Sequence, residues 1–431
     1  METWRMVLRA IAALSAALSL TALALTGCTG RHGEPIRMVG EASPAFSLLI
    51  DLKSEYESAS QVPVDIDARN RAGLLAAFGG GANTPADLVV VPHHLLGQLV
   101  EANAIRPIQR FIDDLALFDP RIVDPQKDLL PWWKEISQFR RRSYGYPASL
   151  RTMSLVYRRD LREVKEGTWP EIEEIAQFFR RPEQHIAGMF INGKPEDGLF
   201  QAWLAYAYAG GARIIDAPTG DGDGPIVVNS PEAIRATEQY VALRRLSSGD
   251  PSGYGLADAI EAFEQGHAVF ALLPHDVASR LERTSHPRLA GAVGYIPLPS
   301  ATGRPAVPID GFTFVIPARA AHPREAFRVM QQILSNDVQR LMARRGGLSA
   351  RASVYKDPTL KDVPYLASFE NMVNAGVPTP TIPEAQAIID TMTPILARIV
   401  AGEVTPKAGL DAVTVQFETL LSRRRDAETK H

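Results

Sequence analysis

Tyr144-Gly145-Tyr146-Pro147-Ala148-Ser149-Leu150-Arg151-Thr152-Met153-Ser154-Leu155-Val156-Tyr157-Arg158-Arg159-Asp160 decides how this chain is divided. Tyr144 to Pro147 predicts a strand that ends in a turn, because Pro147 has no N–H to give to a central ladder. Met153, Leu155 and Tyr157 alternate with Ser154, Val156 and Arg158, and a period of 2 predicts a second short strand. Between the two lies Ala148 to Thr152, small and polar. Two strands that run almost straight into each other imply a crossing from one domain to the next. Such a crossing lines a cleft, with Ser149, Arg151 and Thr152 facing it.

The rest of the chain supplies elements for both sides. Strands are predicted at Ile36–Val39, Val62–Asp67, Asp87–Val91 and Ala268–Leu273, with helical patterns between the first three, and Ile309–Pro317 follows an exposed loop. The run Asp87–Val91 is apolar almost throughout, as in a strand covered on both faces. Strand–helix–strand–helix–strand is an α/β pattern with a mostly parallel sheet. Ser43, Thr168 and Ser230 stand where helix N-caps belong. Phe327, Met330, Leu334, Val338 and Leu341 predict one face of a single long helix, and the segment from Pro378 to Leu421 reads as helical. Gly79-Gly80-Gly81 follows a helix instead of preceding one, so it is not a phosphate cradle. Asp221-Gly222-Asp223-Gly224 lacks the later ligands of a calcium loop and reads as a solvent turn.

The ends and the composition set the class. Arg5 and Arg9 precede an apolar run from Ile11 to Ala24, about 14 residues and too short to span a bilayer comfortably. It ends in Leu25-Thr26-Gly27-Cys28, which matches a bacterial lipobox, with Cys28 the lipid-carrying residue. Cys28 is the one cysteine of 431 residues, so no intrachain disulfide is possible. Residues 1–27 are therefore expected to be a lipoprotein signal peptide, and the mature protein to be exported and anchored to a membrane by its lipidated N-terminus. Without that segment, which carries Glu2, Arg5 and Arg9, basic residues fall from 46 to 44 and acidic ones from 49 to 48. A net charge of −4 gives no case for nucleic acid. About 400 mature residues exceed one core, so two domains are expected.

In this order the segments resemble the extracellular solute-binding proteins of ABC importers, in particular the carbohydrate-type group that includes the maltose-binding protein. Five pieces carry the resemblance. They are Pro85-Ala86-Asp87-Leu88-Val89-Val90, Ala104-Ile105-Arg106-Pro107-Ile108, Tyr144-Gly145-Tyr146-Pro147 through Val156-Tyr157-Arg158-Arg159-Asp160-Leu161, Thr168-Trp169-Pro170-Glu171-Ile172, and Phe263-Glu264-Gln265-Gly266-His267-Ala268-Val269-Phe270. The resemblance implies an α/β, two-lobe periplasmic-binding-protein fold with three hinge crossings. By matching segments, the N-lobe would be 36–148 and 294–343, and the C-lobe 152–291 and 346–421. It also implies a monomer that captures a small solute, a sugar or sugar derivative, delivers it to ABC permease subunits, and needs no cofactor.

Ligands of such folds sit beyond the carboxyl ends of the strands. That selects Glu41, Ser43 and Phe46, Arg69 and Asn70, His93 and His94, Ser149 and Arg151, His275 and Asp276, and Asp310, Gly311 and Phe312. Hydroxyl recognition needs planar hydrogen-bonding groups, which Glu41, Asn70, Arg151, Asp276 and Asp310 supply, together with aromatic faces. Where maltose binders often place Trp, this chain has Val91, His275 and Ile389, and Arg151 replaces a common Glu. Stacking would then fall to Phe46, Trp203, Phe312 or the histidines. Arg69, Arg151, His93 and His275 would suit an acidic sugar or sugar phosphate. His93 and His94 are not expected to bind metal, since neighbours converge poorly and no carboxylate partner is evident. Competing classes are a binding lipoprotein that feeds a sensor, and a lipoprotein glycosidase using two of Glu41, Asp276 and Asp310.

Overall fold

The computed structural model describes residues 34–78, 86–122, 127–130, 132–216, 224–282, 289 and 291–428. Cys28 and the signal segment, Gly79-Gly80-Gly81, and Asp221 to Asp223 lie outside the described residues. Twelve strands are described: β1 Ile36–Glu41, β2 Val64–Arg69, β3 Leu88–Pro92, β4 Gln138–Phe139, β5 Arg142–Ser143, β6 Gly145–Arg151, β7 Met153–Arg158, β8 Ala187–Phe190, β9 Ala268–Pro274, β10 Val293–Ile296, β11 Val307–Val315 and β12 Gly376–Pro378. They build two main sheets. The first runs β12-β11-β3-β1-β2, with β6 also paired to β11; the second runs β10-β7-β9-β8. In the first, β1 is parallel to both β2 and β3, and β11 is antiparallel to β3 and β6.

The crossing is sharper than the sequence suggests. β6 runs straight through the expected polar break and ends at Arg151, and β7 starts at Met153, so Thr152 alone separates the sheets. The strand persists because β11 pairs with it from Gly145↔Val315 to Arg151↔Asp310. Pro147 is tolerated because the register with β11 slips at Phe312/Thr313, beside it. Gly145 is required by proximity, since a Cβ there would lie 2.0 Å from the Phe314 carbonyl oxygen. Thr152 is pinned on three sides. Its N donates to His275 Nδ1 (3.2 Å), its carbonyl accepts from His275 N (3.0 Å), and its Oγ1 donates to the Pro308 carbonyl (2.9 Å).

Other expectations need correction. Residues 294–296, expected at the start of the N-lobe segment 294–343, pair together with Val293 to β7 in the second sheet. The single long helix is two, Pro323–Ile333 and Asn336–Arg344, because Ser335 starts afresh as an N-cap that accepts from Val338 N. The C-terminal region opens with β12, and its helices are Ala385–Ala401 and Pro406–Glu428. Thr168 precedes the helix Trp169–Phe179 but its side chain makes no cap; Glu171 accepts instead from the N–H groups of Lys165, Glu166 and Gly167. Ser230 and Ser43 do cap, accepting from Ala233 N and Phe46 N.

Each sheet has its own core. Helices Pro44–Asp51 and Pro323–Ile333 cover the first through Phe46, Leu49, Phe327 and Met330. Helices Asp197–Ala209, Pro231–Ala242, Ala385–Ala401 and Pro406–Glu428 cover the second through Trp203, Tyr240, Met392 and Phe417. A third cluster joins residues of both sheets behind the crossing: Leu150, Val156, Leu273, Ile309, Leu348 and Phe369. Burying side chains of this size contributes roughly 1.5–3 kcal/mol each. The cluster therefore ties the two sheets together at one end and leaves the other end to form a cleft.

Candidate ligand-binding site

Between the sheets lies a cavity of about 260 Å³. The carboxyl ends of β1, β3 and β6 and the amino-terminal half of the antiparallel β11 reach it, and so do helices Asp197–Ala209, Leu256–Glu264 and Ala385–Ala401. Of the residues expected in the site, Glu41, Ser43, His94, Arg151, Asp310 and Phe312 line it. His93 lies directly beneath, fully buried.

The polar wall is a network of paired charges. Arg151 NH2 donates to Asp310 Oδ2 (2.5 Å), and the guanidinium sits 5.8 Å over the Phe312 ring. Asp310 Oδ1 lies 2.7 Å from His93 Nδ1, and His93 Nε2 lies 2.7 Å from Thr379 Oγ1. A ring with its proton on Nδ1 gives it to the carboxylate and accepts from the Thr379 hydroxyl. Burial pushes the Asp310 carboxyl up, but Arg151 and His93 outweigh it and hold the group well below the usual carboxylate range. Arg71 Nε donates to Glu41 Oε2 (3.0 Å), and Arg71 NH1 donates to Gln386 Oε1 (2.7 Å). His94 Nε2 is 2.9 Å from the same Gln386 oxygen. Burial lowers the His94 pKa to about 4, so the ring is neutral at pH 7 and its Nε2–H donates to Gln386. Gln386 and its helix pack with the second sheet, so these bonds span the cleft.

The remaining expected residues do other work. Phe46 is buried in the core against Gly40, where a Cβ would lie 2.1 Å from its ring. Arg69 is spent on Asp67, with Nε and NH2 contacts of 2.9 and 2.7 Å. Asn70 caps the helix Arg71–Ala76 through Gly73 N, and its neighbour Arg71 reaches the cavity instead. Ser149 is buried with its Oγ donating to the Leu150 carbonyl, and Gly311 lies against the Ser149 carbonyl. His275 is the buried brace of Thr152, with its pKa lowered to about 3 by burial. Asp276 is not a wall residue, although Arg151 acts on it; burial raises its pKa. Trp203 is core, its Nε1 donating to Thr237 Oγ1 (2.9 Å).

The sequence reading missed Arg71, Thr379 and Pro380, and most of the opposite wall: Phe200, Gln201, Leu204, Ile214, Leu256 and Ile388; Ile389, singled out through the resemblance, does line it. Arg71 was within reach, one residue past the second strand. The helix Asp197–Ala209 offered no signal, because from Gly198 onward it is apolar on nearly every side and buried but for half-buried Gln201.

His93, His94 and Asp310 bring nitrogen and oxygen atoms within 4.8 Å of one another, so the carboxylate partner that the sequence did not reveal exists. Asp310 already holds Arg151, and Arg71 acts on His94 with like charge. The cluster is a hydrogen-bonded wall with two cations beside it, a poor setting for a metal ion.

Three solved structures share this fold. The sugar-binding protein MalE from Xanthomonas citri matches 92% of this chain and 100% of its own at 21% identity and a TM-score of 0.76. Maltose-bound MalE3 of T. maritima matches 90% and 99% at 21% identity and a TM-score of 0.75. An ABC transporter solute-binding protein from Agrobacterium radiobacter K84, in complex with ribitol, gives the same four values. The family model described as bacterial extracellular solute-binding protein matches residues 58–340. With that family model matching more than half of it, the chain belongs to the bacterial extracellular solute-binding proteins.

Proposed function

We propose that the protein captures a neutral sugar, polyol or sugar derivative in the cavity between its sheets and delivers it to the membrane subunits of an ABC importer. One observation carries the neutral character: each wall cation faces an anion, Arg71 on Glu41 and Arg151 on Asp310, while His94 is uncharged at pH 7. A carboxylate or phosphate ligand would have to displace one of these pairs. The maltose and ribitol bound by the structural neighbours support a polyhydroxylated ligand class. The paired carboxylates and guanidinium groups are planar, oriented donors and acceptors of the kind that hydroxyls bind. The lipobox at Cys28 supports anchoring of the mature chain to the outer face of a membrane. Among the described residues no helix is long and apolar enough to cross one.

Isothermal titration of residues 29–431 with paired neutral and acidic ligands, such as glucose and glucuronate, tests the charge preference. Tighter binding of the neutral member is expected. Preference for the acid, at unchanged pH, would overturn it. Labelled solute uptake in cells lacking the protein tests delivery to a permease.

A further inference from the structure

The two walls of the cavity differ in kind. Toward the first sheet stand Glu41, Arg71, His94, Arg151 and Asp310. Toward the second stand Met153, Leu204, Leu256, Ile388 and Ile389, with Phe200 beside them. No tryptophan or tyrosine lines the cavity among the described residues; Trp132, Trp133, Trp169 and Trp203 are committed elsewhere, two of them with their indole N–H bonded to Val373 O and Thr237 Oγ1. A sugar ring with hydroxyls on all edges needs polar partners on both walls, or a flat aromatic face beneath it. Here the second wall offers Phe200 and Met153 beside branched aliphatic side chains, with Gln201 as its polar group, and Phe312 stands on the first wall under the Arg151 guanidinium. Polar hydroxyls turned toward that wall would lose water without gaining partners.

We propose that the solute is two-faced: a neutral, hydroxyl-bearing head held by the Glu41–Arg71 and Arg151–Asp310 pairs, and an apolar substituent, such as the aglycone of a glycoside, seated on Leu204, Leu256, Ile388 and Ile389. This rests on the neutral-solute assignment above and narrows it. The apolar wall lies on helices that cover the second sheet, so it becomes part of the binding surface when the two sheets face each other across the solute. The head groups alone would leave the wall either wet or empty, and both are costly for a cleft that has to close.

The test is a calorimetric series on residues 29–431 with methyl, hexyl and phenyl β-glycosides of glucose, galactose and mannose. For the preferred head group, the hexyl or phenyl member should bind at least 10-fold more tightly than the methyl member. Leu256→Ser and Ile389→Asn, both at half-buried positions, should shrink that ratio toward 1. Thermal denaturation of each variant checks that it is folded. Methyl glycosides that bind with no gain from the larger group would overturn the two-faced solute while leaving the neutral-sugar assignment intact. Absence of binding by every glycoside, together with binding of a sugar acid, would overturn both. A gain that survives in both variants would also overturn the proposal, because the apolar group would then lie elsewhere.

Discussion

Acidification should destabilise this protein through two buried histidines well before its carboxylates titrate. His275 braces the crossing and His94 spans the cleft, and burial lowers their pKa values to about 3 and about 4. Unfolded histidine titrates near 6.5. Between pH 6.5 and 5 each unfolded ring takes up a proton that the folded ring refuses, so stability falls as pH falls. At about 1.4 kcal/mol per pH unit, each contributes a loss of roughly 2 kcal/mol over that range. Asp310 works in another window: its depressed pKa contributes stability above about pH 4 that is lost only below it. Asp276, raised by burial, acts in the opposite sense and gains as pH falls. The wild-type slope is therefore composite, and a variant isolates the brace. His275→Asn keeps an acceptor for Thr152 N but removes the titrating ring. With an unfolding entropy of about 2.1 cal/mol/K per residue over about 400 residues, 1 kcal/mol corresponds to roughly 1 °C in Tm. Scanning calorimetry should show the wild-type Tm falling relative to the variant by about 2 °C from pH 6.5 to 5. A Tm difference that stays flat across this range, or an NMR titration of His275 with a midpoint near 6.5, would refute the reasoning.

Further predictions concern the walls and the joint core. Asp310→Asn leaves Arg151 without its anion; because the two side chains are 19% and 24% exposed, the loss should be about 1.5–3 kcal/mol, short of the 3–5 of a fully buried pair, and calorimetry should show a Tm lower by a few degrees. Gln386→Ala removes the acceptor shared by His94 and Arg71 across the cleft, and should weaken solute binding by roughly 10-fold, about 1.4 kcal/mol, in a titration experiment. Phe369→Ala, in the cluster that joins the sheets, should cost about 3–5 kcal/mol, read as a shift in urea midpoint.

What the sequence revealed and what it hid divide along physical lines. The first three strands, the crossing and Arg151 were legible because period-2 patterning, continuous apolar runs and turn chemistry are local properties. Glu41 and Arg151 were legible because strand ends in α/β sheets point their last residues at the cleft; Asp310 reaches it from the start of the antiparallel β11, opposite Arg151. Arg69 and Asn70 were misassigned because Asp67 and the helix Arg71–Ala76 claim their polar groups, and such local pairing competes with any ligand. Of the apolar wall only Ile389 was legible, and that through the resemblance. Leu204 in a wall and Trp203 in a core are the same kind of residue on the same helix, and only the packing of helices Asp197–Ala209 and Ala385–Ala401 separates their fates. The break at Ser335 was hidden for a related reason, because the apolar face continues in register across it.

The central claim is that a neutral, hydroxyl-bearing solute occupies the space between the sheets. A thermal-shift panel of residues 29–431 against neutral sugars, polyols, glycosides and sugar acids addresses it most directly. At 100 times its Kd a bound solute stabilises by about 2.7 kcal/mol, so at least one neutral compound should raise Tm by about 3 °C, and that shift should vanish in Asp310→Asn. A panel in which no neutral compound moves Tm, or in which the shift survives intact in Asp310→Asn, would contradict the account.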